Sequence, residues 1–320
     1  MAATAAALIA AAIPVAAQDY PTKPMTMVIP FAAGGPVDVL GRILAQRMGE
    51  VLGQQVIVEN VTGAGGMTGG HRVAQAPPDG YQFVLGSVGT HAHNQTLYKK
   101  PLYNVMTDFT PVILIAEQPL VLIARKDLPA NNLQEFIAYA KANQAKMQYG
   151  SAGAGSATHL GCVLLNAAIG IDITHVPYRG TGPAMQDLQG SRIDYLCEII
   201  STALPHIQGN TVKALATLTK SRSPVLPDLQ TAQEQGLANF EAYTWNGIFL
   251  PKGAPAAIVN KLHDAIAATM DTPAVQERLK GLGVSIVAAD RRSPEYLAKF
   301  VQSEVEKWAG PIKASGVVAD

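Results

Sequence analysis

Catalytic-looking side chains are sparse in this chain, and what recurs instead is a turn built of small residues. PFAAGGPVDV at 30–39, TGAGGMTGG at 62–70, GSAGAGSATH at 150–159 and GTGPA at 180–184 each lie between an apolar run and a helical pattern. Such a turn ends a strand and opens a helix, where four amide N–H groups lack intrahelical partners and the helix dipole favours negative charge. In an open α/β sheet these turns lie beyond the carboxyl ends of the strands, where ligands bind. One alone would be only a compact turn. Four predict a cradle for a small anion, with backbone N–H groups and Ser or Thr hydroxyls as donors.

Other chemistries fit less well. The run Gly153-Ala154-Gly155-Ser156-Ala157-Thr158 lacks the Gly-Lys-Ser/Thr ending of a phosphate loop, and the 63–70 glycines lack the spacing and downstream acid of a dinucleotide site. Ser156 and His159 could pair as nucleophile and base in a hydrolase or isomerase, the second reading of the same cleft. However, Gly-Ser-Ala-Thr-His lacks the Gly-x-Ser-x-Gly elbow, and spacing identifies no third residue. His91 and His93 are too few for zinc without an acid or cysteine nearby. The open alternative is a hydrogen bond from either histidine, His91 first, to a ligand. Neither a metal nor a cofactor is expected. Glu198 closes a strand; facing the cleft, it would disfavour a second anion and accept from an ammonium or hydroxyl.

Composition narrows the partners. The 320 residues carry 24 basic and 24 acidic side chains, which removes the basic footprint of a nucleic-acid binder. Residues 1–17, MAATAAALIAAAIPVAA, read as a secretory signal ending in small residues, although no Lys or Arg precedes the apolar run. Pro14 interrupts that run well short of a membrane span. The mature chain is therefore expected to begin near Gln18 in the periplasm. An oxidising compartment and an even count predict a Cys162–Cys197 disulfide, against the alternative of two small buried hydrophobes.

The elements that position the turns follow from periodicity. MTMVIPF, QVIVEN and YQFVLGS read as strands, each followed by a small-residue or polar turn and, after the first two, a helix. PVILIAEQPLVLIARKDL at 111–128 reads as two consecutive apolar strands and marks a crossing into a second lobe with the same grammar. EAYTWNGIFLP marks the return, with Trp245 packed on the hinge. Ala254-Pro255, Thr272-Pro273 and Ser293-Pro294 open three C-terminal helices. The expected α/β architecture is two doubly wound lobes joined by two hinge crossovers around a central cleft. Lobe 1 takes residues 18–121 and 244–320, and lobe 2 takes 122–243.

PFAAGGPVDVLGRILAQRM, VENVTGAGGMTGGHRVAQAPPDGY, GSAGAGSATHLG and ITHVPYRGTGPAMQDLQGSRID together resemble the periplasmic receptors of the tripartite tricarboxylate transporter family, the Bug receptors, from about residue 20 to the C-terminus. The resemblance implies a type II periplasmic-binding-protein fold that closes around a small carboxylate, often through ordered waters, without catalysis. The carboxylate could be a di- or tricarboxylate, an acidic amino acid or an aromatic acid. It further implies a monomer delivering its ligand to the membrane components of a transporter. Carried over residue by residue, the ligand contacts are Phe31, Gly35 and Asp38 in the first turn, Ser87 and Thr90 in the third, and Ser151, Ser156, Thr158, His159 and Tyr178 in the second lobe. Gly34 and Ala154 add turn backbone. Val37 stands where many members have a hydroxyl, and Arg179 where lysine is frequent. Phe31 is expected to wall the cleft, and Asp38 also suits the first turn of a helix.

Overall fold

The computed structural model describes residues 20–320, so the segment read as a secretory signal lies outside it. The chain alternates β1 (Met25–Ile29), α1 (Pro36–Leu52), β2 (Val56–Asn60), α2 (Met67–Ala74), β3 (Gln82–Ser87) and α3 (Asn94–Leu97) before the long strand β4 (Phe109–Arg125). There follow α4 (Leu133–Asn143), β5 (Gln148–Ser151), α5 (Ala157–Ile169), β6 (Thr174–Pro177), α6 (Thr181–Gln189), β7 (Tyr195–Ile199), α7 (Ile200–Gln208) and β8 (Val212–Thr217). The second long strand, β9 (Tyr243–Pro251), leads to α8 (Ala256–Met270), α9 (Pro273–Gly281), β10 (Ser285–Ile286) and α10 (Pro294–Ala314).

Local signals account for many of these boundaries. Pro36 occupies the start of α1, Gly53 ends it at φ 66°, and Leu40, Ile43, Leu44 and Met48 bury its inner face. Ser293 caps α10 by accepting from Tyr296 N–H, with Pro294 next in line. Two readings change. Residues 109–125 form one strand, because Glu117-Gln118-Pro119 offers no turn and Leu120 N–H continues the ladder to Ala242 O. VGTHAHN is helical, a π turn over Gly89–His93 running into α3.

The sheet runs β2-β1-β3-β9-β4-β7-β5-β6, with β8 and β10 also paired to β4. Residues 109–119 of β4 pair with β9, and residues 120–124 pair with β7. Strands β1, β2 and β3 are mutually parallel and run with β4, since β9 is antiparallel to both β3 and β4. Strands β5, β6 and β7 are mutually parallel and run against β4. The two parallel sets therefore point their carboxyl ends at each other. Ser87 at the end of β3 is level with Asn246 and hence Ala116, whereas Ile199 at the end of β7 is level with Leu120. Four residues of strand separate those levels, about 13 Å.

Two fastenings hold the halves in shape. The Glu304 carboxylate on α10 is buried and accepts from Trp245 Nε1 at 2.9 Å, Trp308 Nε1 at 3.0 Å and Tyr243 OH at 2.8 Å, fixing α10 to β9. Cys162 on α5 is disulfide-bonded to Cys197 on β7, with Cα atoms 5.4 Å apart. The link closes a separation of 35 residues. Replacing both cysteines by alanine is expected to lower the unfolding free energy by about 2–4 kcal/mol, read as a lowered urea midpoint with the m-value fitted separately for each protein. An unchanged midpoint would mean that the link adds nothing to what packing already fixes.

Candidate functional site

Four helices begin around one small volume. Pro36 opens α1 after Gly35, Ala157 opens α5 after Ser156, Thr181 opens α6 after Gly180, and Ile200 opens α7 after Ile199. Gly35, Pro36, Val37, Ala157, Thr158, Thr181 and Ile199 line a single cavity of about 20 Å³, with Phe31, Ser87, Ala152 and Thr244 completing its wall. No Lys, Arg or His is among its lining residues. Its positive field comes from helix ends, each equivalent to about half a charge. A cavity of this size admits about one water, so a larger guest requires the surrounding turns to part.

Those turns meet largely through backbone. Ala32 N–H donates to Arg179 O at 3.0 Å, and Tyr98 OH donates to Ala154 O at 3.0 Å. A Cβ on Gly182 would lie 2.8 Å from Ala33 O, and one on Gly89 would lie 2.9 Å from Gly155 O. The glycines thus let one half approach the other, a purpose separate from the anion cradle expected from the sequence. Within the first turn the two glycines differ. Gly34 needs its φ of 78°, whereas Gly35 has an ordinary φ of −84° and a Cβ there would make only normal contacts with Ala32 O and Thr181 Oγ1.

Of the residues singled out from the sequence, Phe31, Gly35, Val37, Ser87 and Thr158 line this cavity, and Gly34 and Glu198 line an adjoining one. The others stand behind the wall. Asp38 accepts from Gly34 N–H, Arg42 and Asn60, and so holds the turn. Burial would raise its pKa, but these three donors hold it below the usual carboxylate value. Thr90 Oγ1 accepts from Ser87 N–H at 2.9 Å. His91 is buried against Phe249, ring centroids 3.9 Å apart, and bonds Thr90 Oγ1 at 2.8 Å, which places it in the core of the first half. His93 is buried against Trp308. No cluster of three or more metal-ligating side chains occurs among the described residues.

In the second half, Ser151 Oγ bonds His175 Nε2 at 2.6 Å and accepts from Gly153 N–H. Ser156 is the N-cap of α5: its Oγ accepts from His159 N–H at 3.2 Å and donates to Gly153 O at 2.7 Å. His159 Nδ1 accepts from Gly155 N–H at 3.1 Å, and burial holds this ring's pKa down at about 3. With the Ser156 hydroxyl spent on Gly153 O and Nδ1 of the ring spent on an amide, the pair is not arranged as nucleophile and base. Ala154 O receives Tyr98 OH, and Tyr178 OH donates to Asp187 at 2.7 Å. Sequence reasoning missed Thr244 and Thr181. Thr244 sits opposite Gln118 in the β4–β9 ladder, so the alternation along YTWNG was its available signal. Thr181 was hidden inside a turn valued only for its backbone.

Residues 40–317 match the sequence family described as the tripartite tricarboxylate transporter family receptor. The solved structure of the periplasmic binding protein BugD is 41% identical, with a TM-score of 0.91 over 94% of this chain and 100% of that one. MatC (Rpa3494) from Rhodopseudomonas palustris with bound malate is 40% identical, with a TM-score of 0.89 over 92% and 100%. Rpa4515 from R. palustris with adipate is 33% identical, with a TM-score of 0.89 over 93% and 99%. The fold is the periplasmic-binding-protein fold expected from the sequence, and these relatives are solute-binding receptors, not enzymes.

The backbone contact at Gly182 generates a test. Gly182→Ala should lower the melting temperature of the free protein only slightly, because the strain of a Cβ 2.8 Å from Ala33 O is partly offset by a gain of up to about 1 kcal/mol for alanine in a helix. The added Cβ should nevertheless hold Thr181 away from Ala33 and weaken ligand binding at least tenfold by calorimetry. Wild-type affinity would show that the bound state does not need this approach.

Proposed function

This chain belongs to the tripartite tricarboxylate transporter receptor family, and from that premise we propose that it captures a small dicarboxylate between two lobes and delivers it to the membrane components of such a transporter. The lobes are residues 18–121 with 244–320, and residues 122–243. The observation that carries the reading is the convergence of the α1, α5, α6 and α7 N-termini on one cavity without a basic side chain. The amides of those first turns, with the hydroxyls of Ser87 and Thr158, take the carboxylate directly or through water. Phe31 and Val37 wall the cavity, while Asp38, Thr90, Ser151, Ser156 and His159 hold the turns in position.

Energetics agree with such a site. Charge-assisted bonds contribute roughly 1.5–3 kcal/mol each against an association cost of about 4 kcal/mol or more. At about 2.4–3 kcal/mol each, four or five of them reach about −8 kcal/mol, micromolar affinity, without an arginine clamp. Malate and adipate, the ligands of two relatives, fix the class to be tried first. The receptor acts as a monomer after removal of the 1–17 signal. Among the described residues, no helix is long and apolar enough to cross a membrane.

Thermal-shift screening with malate, adipate, tricarboxylates and acidic amino acids provides the test, a ligand at a hundred times its Kd stabilising by about 2.7 kcal/mol. Gly35→Val should abolish the shift, its methyl groups filling the space between the α1 and α6 N-termini, while costing the free protein only about 1 kcal/mol. Ser156→Ala should lose about 1 kcal/mol of stability with its cap and weaken binding as the α5 turn loosens. Full binding by the Gly35 variant would move the ligand away from this cavity.

A further inference from the structure

Next to the small cavity lies a larger one, about 430 Å³, and Thr181 lines both. Its walls include Ala33 and Gly34 on one side and Thr181, Glu198, Thr202 and His206 on the other. Glu198 is fully buried at the end of β7. Its Oε1 accepts from Ile199 N–H at 2.9 Å and from Thr202 OH at 2.9 Å. Its Oε2 and the Thr181 hydroxyl, also buried, have no hydrogen-bond partner among the described residues. Leaving a buried polar atom bare costs about 1–3 kcal/mol. Here two such atoms belong to residues lining the larger cavity, and Thr181 lines the smaller one as well.

We propose that these two groups form the subsite for the second carboxylate of the ligand, with Glu198 binding as the neutral acid. Its Oε2–H donates to one ligand oxygen and the Thr181 hydroxyl donates to the other. The proposal rests on the carboxylate reading of the smaller cavity. The bond pattern decides which oxygen carries the proton, since Oε1 is already an acceptor twice over and only Oε2 is free to bear hydrogen. An acid-to-carboxylate bond of this type is charge-assisted and stronger than a neutral one.

The surroundings favour the acid. Burial pushes the Glu198 pKa up to about 7, partly opposed by the Ile199 N–H and Thr202 bonds and by the Thr181 hydroxyl, which lies near the carboxyl without a hydrogen-bonding geometry to it. On the elements packed around it, β4 places Val121 opposite. On α6, Asp187 is taken up by Tyr178 and Arg192. On α1, Asp38 is held by Arg42 and Asn60. On α7, His206 lines the same cavity, bonded to Gln189, with its pKa lowered by burial. Among the described residues no basic side chain bonds the carboxyl, so an approaching anion raises its pKa further rather than meeting a fixed negative charge. Repulsion of a second anion, expected from Glu198 as a carboxylate, is thereby reversed. A dicarboxylate would bind with uptake of a proton from solvent.

Calorimetry with malate and adipate between pH 6 and 9, in buffers of different ionisation enthalpy, reads this linkage, with hexanoate as the single-carboxylate control. For the wild type the dicarboxylate Kd should be flat below about pH 7 and rise about tenfold per unit above it, with up to one proton taken up per ligand. Hexanoate should show no slope. Glu198→Gln, whose amide keeps both an acceptor for Ile199 and Thr202 and a donor for the ligand, should bind dicarboxylates with a flat profile and no proton uptake. A wild-type affinity that is flat or strengthens with pH, or a slope that survives in the glutamine variant, overturns the proposal while leaving carboxylate binding intact. Absence of binding by every carboxylate at every pH overturns both.

Discussion

The site exists because β4 is long enough to belong to both halves of the molecule. Its first eleven residues carry β9, and through it the parallel set β3-β1-β2. Its last six carry β7 and β8, and through β7 the set β5-β6. One set runs with β4 and the other against it, so the carboxyl ends of both converge on the stretch from Ala116 to Leu120. Helices that follow parallel strands begin at those ends, and their unpaired amides are therefore aimed at a common volume. Reversing either set would turn its helix N-termini outward and remove their share of the field at the cavity.

That convergence has a steric requirement, which glycine meets. Helix ends aimed at one another must come close before a small anion can touch several of them at once. Side chains on the facing turns would keep them apart. Gly89 against Gly155, Gly180 against Ala32 and Gly182 against Ala33 bring the chains within backbone reach. The same bareness that exposes amides to a ligand lets the halves meet, so affinity and approach are served by one set of residues. The polar residues around these turns mostly support them: Asp38 ties back Gly34, Thr158 Oγ1 receives Ala152 N–H, and Ser156 caps α5.

Against that background of satisfied bonds, bare groups stand out. Thr181 Oγ1 and Glu198 Oε2 are buried, belong to residues lining the larger cavity and lack partners among the described residues. Glu304 provides the contrast within the same chain. It is almost as buried, yet it accepts from two indoles and a phenol, so its role is complete in the fold. Two buried carboxyls thus have different physical lives, one fastening a helix to a strand and the other ending in a cavity.

Much of the architecture was legible in the sequence. Alternating apolar runs, glycine turns and proline-led helices gave the α/β layout and the places where helices begin, because each depends on residues adjacent in the chain, while the even cysteine count alone pointed to the Cys162–Cys197 pair. Local pattern could not tell that 109–125 is one strand shared by both halves, since a continuous ladder is set by partners such as Ala242 that lie far along the chain. Nor could it separate Ser156 as a cap from Ser156 as a ligand donor, or place His91 in the core against Phe249. Thr181, Thr244 and the raised pKa of Glu198 were decided by tertiary structure alone. Which hydroxyl faces a cavity, and whether a carboxyl keeps its charge, depend on what other segments remove from water.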